Sequence, residues 1–300
     1  MAKLRDQLKG VFGFPVTPFK QDLSLDLAAL EKNVDEMTQH PYCAIVAAGG
    51  TGEIYSMTPE ESAEVVRVAV AATKKRMPVV AGVGYSAVIG ADMARRMEKA
   101  GADALLVMPP YYINAPEAGW IDYYKAIANA TGLPLALYSR DWAAFTPDQV
   151  ARLADAVPSL DIWKDGQGNI RMYQRIMSKL GDRLAWVGGL GDDCAGGYWS
   201  IGVQAYTSSI SNVSAKISLA IADAGQKQDF TRMNEILMKY VHPMYYLRDK
   251  VRGYEVTVMK EMMEALGIPA GPARPPLCAV KPEHKAELAA IVETYRNIQL

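Results

Sequence analysis

Residues 78–110 read PVVAGVGYSAVIGADMARRMEKAGADALLVMPP. An apolar run (78–84) passes through a short turn into a stretch with apolar residues three and four apart (88–100). A Gly-Ala-Asp turn then leads to a second apolar run (104–109). Short runs rich in Val, Leu and Ala, without strict alternation, predict strands buried on both faces, and the three-to-four spacing predicts an amphipathic helix between them. A helical connection of this length suits a parallel pair joined by a crossover.

The same unit recurs in both directions. Further strands are expected at 10–18, 44–49, 134–139, 160–164, 184–188 and 203–208, with helices such as 27–39, 59–73, 119–130 and 147–156 between them. Thr58-Pro59-Glu60-Glu61 and Thr146-Pro147-Asp148-Gln149 each carry an N-cap Thr, a Pro at the first helical position and a capping-box Glu or Gln. Eight strand–helix units by about residue 226 fit a (β/α)8 TIM barrel over residues 1–226, with an open doubly wound sheet as the alternative. Beyond Gln226 the strands stop. Residues 230–247, 256–266 and 284–297 read as helices of a C-terminal helical extension over residues 227–300.

Bulk chemistry narrows the function. The 300 residues are 50% hydrophobic, and 32 Lys and Arg against 33 Asp and Glu leave a formal charge of −1, with no basic excess to recruit nucleic acid or an anionic membrane. Cys43, Cys194 and Cys278 form no CxxC pair, which argues against a disulfide framework and for a reducing compartment. The N-terminus lacks the apolar core of a signal peptide and no apolar run reaches membrane-spanning length, so a cytoplasmic protein is expected. His40, His242 and His284 are scattered without metal-ligand spacing.

In a barrel of this kind the chemistry sits where strands end. Four junctions stand out. Ala48-Gly49-Gly50-Thr51-Gly52-Glu53 offers backbone amides and a hydroxyl to a carboxylate, or is a plain flexible turn. In Leu160-Asp161-Ile162-Trp163-Lys164-Asp165-Gly166, alternation places Lys164 on the face of Ile162 and Leu160. If that face is the interior, desolvation favours the neutral amine of a Schiff-base nucleophile; otherwise Lys164 is a surface lysine entering a turn. Tyr138 ends the strand before Ser139-Arg140-Asp141, as a proton relay beside a carboxylate-binding arginine or as rim packing with a surface ion pair. Ala205-Tyr206-Thr207-Ser208-Ser209 closes the last strand with hydroxyls that also suit a helix cap. The GxGxxA match at 82–87 lacks an acidic residue at the end of the next strand, because Asp103 precedes that strand, and carries little weight as a dinucleotide fingerprint.

Together these junctions resemble the dihydrodipicolinate synthase / N-acetylneuraminate lyase family of Schiff-base barrels. The resemblance covers FPVTPF at 14–19, GGTGE at 49–53, PPYY at 109–112, and the strand-ending Tyr138 and Lys164. Tyr138-Ser139-Arg140-Asp141, Lys164-Asp165-Gly166 and the Gly-Pro-Ala-Arg-Pro-Pro-Leu of 271–277 are most similar to its branch of decarboxylating sugar-diacid dehydratases. Gly50 stands where the lysine-biosynthetic members carry a threonine. Ser139, Gln167 and Asn169 depart from the branch, which usually has Asn, Thr and Asp there.

The resemblance implies that Lys164 is the nucleophile and Tyr138 its proton shuttle. Gly50, Thr51 and Gly52 would hold the carboxylate beside the keto group of a small sugar acid, 5-dehydro-4-deoxy-D-glucarate. Ser208 would assist proton transfer or water loss, and Arg140 would meet the distal carboxylate. Neither metal nor organic cofactor is implied, since the lysine imine is itself the electron sink. A homo-oligomer, a tetramer as is usual in the family, is implied too. A class I aldolase or a dehydratase of another 2-keto-3-deoxy sugar acid on the same barrel, and a keto-acid sensor that has lost turnover, are the alternatives.

Overall fold

A computed structural model describes residues 4–300. Eight parallel strands close on themselves: β1 (Gly10–Gly13), β2 (Ala44–Ala47), β3 (Val79–Tyr85), β4 (Ala104–Pro110), β5 (Leu135–Ser139), β6 (Leu160–Asp165), β7 (Ala185–Gly188) and β8 (Ala205–Ser208). β1 pairs with both β2 and β8, in the register Phe12↔Ala44 and Gly10↔Ala205. Closure excludes the open doubly wound sheet. The outer ring is α1 (Leu27–Met37), α2 (Pro59–Thr73), α3 (Ala87–Lys99), α4 (Glu117–Ala128), α5 (Pro147–Ala156), α6 (Ile170–Leu180), α7 (Ala195–Ser200) and α8 (Ala215–Gln226). The chain is a (β/α)8 TIM barrel followed by C-terminal helices.

Local chemistry accounts for these boundaries. Thr58 and Thr146 each accept from the N3 amide while Glu61 and Gln149 reach back, so both capping boxes form. Such a cap contributes roughly 1 kcal/mol. The first strand is shorter than 10–18, because from Phe14 onward the chain is held by the β8–α8 loop: the Phe14 and Val16 amides donate to Ser211 Oγ and Asn212 Oδ1. Gly82 and Gly84 are consumed by packing. A Cβ at Gly82 would lie 2.0 Å from the Ala48 carbonyl oxygen, which removes the dinucleotide reading.

Side chains alternate strictly on most strands. Phe12, Val46, Leu106, Ala136, Ile162 and Val187 fill the barrel interior, whereas Leu105, Leu137 and Trp163 face the helices. β6 departs from that alternation at its start. Leu135 pairs with Leu160 but Ala136 pairs with Ile162, so Asp161 is an extra residue and Leu160 joins the outer layer. The shared face is therefore Ile162 and Lys164, without Leu160.

The C-terminal run is α9 (Phe230–Ile236), a π turn (Leu237–Val241), α10 (His242–Asp249), α11 (Tyr254–Ala265) and α12 (Lys285–Arg296). The stretch expected as one helix over 230–247 thus carries a widened turn. Pro243 explains it: lacking an N–H, it cannot bond the carbonyl four residues back at Lys239, inside that turn. These helices share one core with the barrel's outer face, since Met244, Leu247, Val258 and Ile291 pack in the same cluster as Val11, Ile45 and Tyr206. No helix among the described residues is long and apolar enough to cross a membrane.

Candidate active site

Lys164 is the last inward residue of β6, above the apolar interior that Ile162 continues, and it is 5% exposed. Its Nζ donates to the Gly189 carbonyl at 2.7 Å, and lies 3.6 Å from the centroid of the Tyr138 ring and 5.6 Å from that of Phe14. Only glycine fits at 189, because a Cβ there would come within 2.6 Å of Nζ itself. Burial holds the Lys164 ammonium below the ordinary lysine range, against the opposing pull of the Tyr138 phenol. A neutral amine is the nucleophile that imine formation requires.

Tyr138 is the neighbouring inward residue, paired in register with Lys164 across β5 and β6. Burial alone would raise its phenol; the charges of Lys164 and Arg140 outweigh that and bring it below the ordinary tyrosine value. Arg140 lies against this pair, and its guanidinium Nε reaches Asp141 Oδ1 at 3.3 Å. Gly166 lets them approach, since a Cβ there would sit 2.6 Å from the Tyr138 ring.

A cavity of about 520 Å³ opens over this pair, lined by Lys164, Tyr138, Arg140, Gly50 and Thr51 among others. This volume is in the range of small-molecule sites. Gly50 faces open space: a Cβ there would meet nothing within 4 Å. Gly52 stands behind, its carbonyl taken by Thr17 Oγ1 at 2.6 Å, and does not line the cavity. The loop is braced from the C-terminal side. Glu53 pairs with Lys260 Nζ at 2.5 Å, and its other oxygen accepts the Arg274 amide at 3.0 Å. Arg274 in turn grips Glu61 with both arms and the Leu23 and Ser56 carbonyls. The 271–277 motif is thus a clamp on the glycine loop.

Residues 7–295 match the dihydrodipicolinate synthetase family. The chain belongs to that family. It is 38% identical over 286 residues to a probable 5-dehydro-4-deoxyglucarate dehydratase of Bradyrhizobium diazoefficiens, covering 95% of this chain and 91% of the relative. A protein of the same name from Rhodococcus opacus is 40% identical over 286 residues, covering 95% and 94%. Among solved structures, dihydrodipicolinate synthase from Oceanobacillus iheyensis superposes with a TM-score of 0.91 at 26% identity, over 98% of both chains. The family places the chain among class I lyases, whose chemistry runs through a lysine imine.

The β7 and β8 side of this family barrel differs from expectation. Ser208 does not line the cavity. Alternation on β8 turns Thr207 inward with Ala205, and sends Ser208 out toward α8, where its Oγ contacts Ser218 Oγ at 2.8 Å and Asp192. Thr207 is the hydroxyl that faces the cavity. Asp192, fully buried on the β7–α7 loop, gathers this wall: its carboxylate accepts from Ser208 Oγ, from the Ser209 amide at 3.1 Å and from Tyr245 OH at 3.0 Å. Burial raises the Asp192 carboxyl against those hydrogen bonds. Tyr245 and Arg248, from α10, complete the wall.

The three departures from the dehydratase branch are not among the residues that line the cavity. Ser139 Oγ closes a turn onto the Ala143 carbonyl at 2.9 Å, Asn169 caps α6, and Gln167 Nε2 donates to the Asp141 carbonyl at 3.0 Å. None of the three lines the cavity, although Asp141, which Gln167 holds, does. Among the described residues, no group of three or more His, Cys, Asp or Glu is arranged to hold a metal ion.

Proposed function

We propose that this protein is a decarboxylating dehydratase that converts 5-dehydro-4-deoxy-D-glucarate to 2,5-dioxopentanoate, water and CO2 through an imine on Lys164. The observation that carries the reading is the buried Lys164 amine, held between the Tyr138 ring and the Gly189 carbonyl at the floor of an open cavity. The names of the Bradyrhizobium and Rhodococcus relatives support the choice of substrate. Gly50 supports dehydration over lysine biosynthesis, because it supplies no hydroxyl where the resemblance expects one in the synthases.

The steps follow from the imine. Lys164 attacks the keto carbon, and Tyr138 carries the protons by which the carbinolamine loses water. The carboxylate beside that carbon rests on the Gly50–Thr51 backbone and the Thr51 hydroxyl. The protonated imine nitrogen draws electrons from the adjacent CH2, which gives up a proton, and the β-hydroxyl leaves as water. The conjugated iminium that results accepts the electrons of the C–CO2 bond at the far end, and CO2 departs. Protonation and hydrolysis return the free amine and release 2,5-dioxopentanoate. Thr207, not Ser208, is the hydroxyl of β8 placed to attend these proton transfers.

The test is product analysis with this substrate, headspace CO2 and pyruvate being read on the same reaction. One CO2 and one 2,5-dioxopentanoate per substrate are expected. Pyruvate without CO2 would mean that the bond beside the β-hydroxyl is cleaved, as in an aldolase, and would end the dehydratase reading. A protein that forms the imine and releases no product would be the sensor.

A further inference from the structure

The far end of a keto diacid needs a cation, and the cavity holds two arginines on different walls. Arg140 is already engaged: it lies beside the Tyr138 phenol and its Nε reaches Asp141 at 3.3 Å. Arg248 is not. Its guanidinium is stacked 4.4 Å from the centroid of the Tyr245 ring, and Nη1 donates to Ser209 Oγ at 3.0 Å. Its Nε is buried with no acceptor, and among the described residues no carboxylate lies within ion-pair distance of it. Asp192 and Asp193 are near enough to feel the charge, yet Asp192 spends its oxygens on Ser208, Ser209 and Tyr245.

That network makes Arg248 a prepared fork. Asp192 fixes Tyr245 and Ser209, and these two fix the guanidinium from its face and from one N–H. The Arg248 side chain lines the cavity. We infer that Arg248 binds the distal carboxylate of the substrate and sets the preference of this site for dicarboxylic keto acids, with Asp192, Tyr245 and Ser209 as positioning residues. Position agrees. Lys164 is bonded to Gly189, and Asp192 lies three residues further along the same loop, a span of at most about 11 Å of extended chain. From the keto carbon to the far carboxyl carbon of a six-carbon diacid is about 5 Å of zigzag, and a charge-assisted hydrogen bond adds about 2.8 Å.

The inference rests on the Lys164 imine of the proposed function but not on the dehydration that follows, so its test stops at the imine. Borohydride capture is measured with 2-oxoadipate and with 2-oxohexanoate, equal in chain length and differing at the far end. The readout is the ratio of the two capture efficiencies within each variant, from which any loss of folded protein cancels. Wild type should favour 2-oxoadipate. Arg248→Gln should lower that ratio by about ten- to a hundredfold, the loss of one charged hydrogen-bonded contact, and Arg248→Lys should retain part of it. Arg140→Gln should leave the ratio near wild type. A ratio that collapses in Arg140→Gln and survives in Arg248→Gln overturns the inference, as does a wild type indifferent to the two acids. No adduct with either acid would remove the imine, and this inference with it. A normal ratio response with no CO2 from the sugar diacid would remove only the dehydratase.

Discussion

Replacing Lys260 by methionine tests the clamp behind the glycine loop. Lys260 and Glu53 are 1% and 0% exposed, with Nζ and the carboxylate 2.5 Å apart. Nζ also donates to the Pro272 carbonyl at 2.9 Å and lies 4.3 Å from the Phe19 ring centroid. Methionine keeps most of the apolar stem but leaves the Glu53 carboxylate in the interior with one protein donor, the Arg274 amide at 3.0 Å. Removing one partner of such a pair costs about 3–5 kcal/mol, whereas replacing both by uncharged groups is often close to neutral. Lys260→Met should therefore fall in that range, and Glu53→Gln with Lys260→Met should cost less than the sum of the singles by about 2 kcal/mol.

Urea unfolding of the four proteins in this cycle, with equal slopes, measures it. Glu53→Gln alone has a pH signature as well. Burial already lowers the Lys260 ammonium, and Glu53 opposes this most strongly. Without Glu53 the folded-state value falls further, so between it and the unfolded value of about 10.4 the unfolded chain binds the extra proton. Stability relative to wild type should then rise with pH between the variant's folded-state value and that of wild type, and stay level above it. Additive singles, or a Lys260→Met cost below about 1 kcal/mol, would refute the picture of the pair as an interior brace.

Other consequences are simpler to read. Tyr138→Phe should cut turnover by roughly 10²–10⁴-fold with the fold intact, and near-normal turnover would remove Tyr138 from the mechanism. The rate of imine capture by pyruvate should rise with pH as Lys164 loses its proton, with a midpoint below the ordinary lysine range because the amine is buried. In Tyr138→Phe that midpoint should move lower still, since the phenol opposes the effect of burial; a shift upward would contradict the assigned coupling. Exhaustive chelation should leave turnover unchanged, and activity that is lost and then restored by a divalent ion would mean that the imine is not the only electron sink.

The barrel was legible because its evidence is periodic and redundant. Eight short apolar runs each predict a strand, and one misjudged boundary leaves the count untouched; the β1 run of 10–18 shrinks to Gly10–Gly13 without changing the topology. What alternation could not foresee is a local insertion. The extra residue at Asp161 flips Leu160 to the helix side, yet Lys164 stays inward because the pairing is regular again from Ile162. Lys164 and Tyr138 were legible for a related reason. They end neighbouring strands, and parallel registry brings them side by side.

The wall formed by Asp192, Thr207, Tyr245 and Arg248 was not legible, and each omission has a physical source. Thr207 and Ser208 are adjacent hydroxyls of which alternation admits only one, so placing Ala205 inside would have chosen Thr207. Asp192 follows a glycine loop rather than a strand end, where no period constrains it. Arg248 is the furthest from view. In a straight helix over 230–247, successive residues turn by about 100°, so the one-residue offset of a π turn rotates everything beyond it by that amount. Pro243 supplies the cause of that turn, but the direction Arg248 faces depends on the register that Met244 and Leu247 take in the core. A residue 84 positions from the nucleophile reaches the same cavity only because the extension packs on the barrel it follows. The specificity proposed for Arg248 therefore lives in tertiary packing, which the local pattern of the chain does not encode.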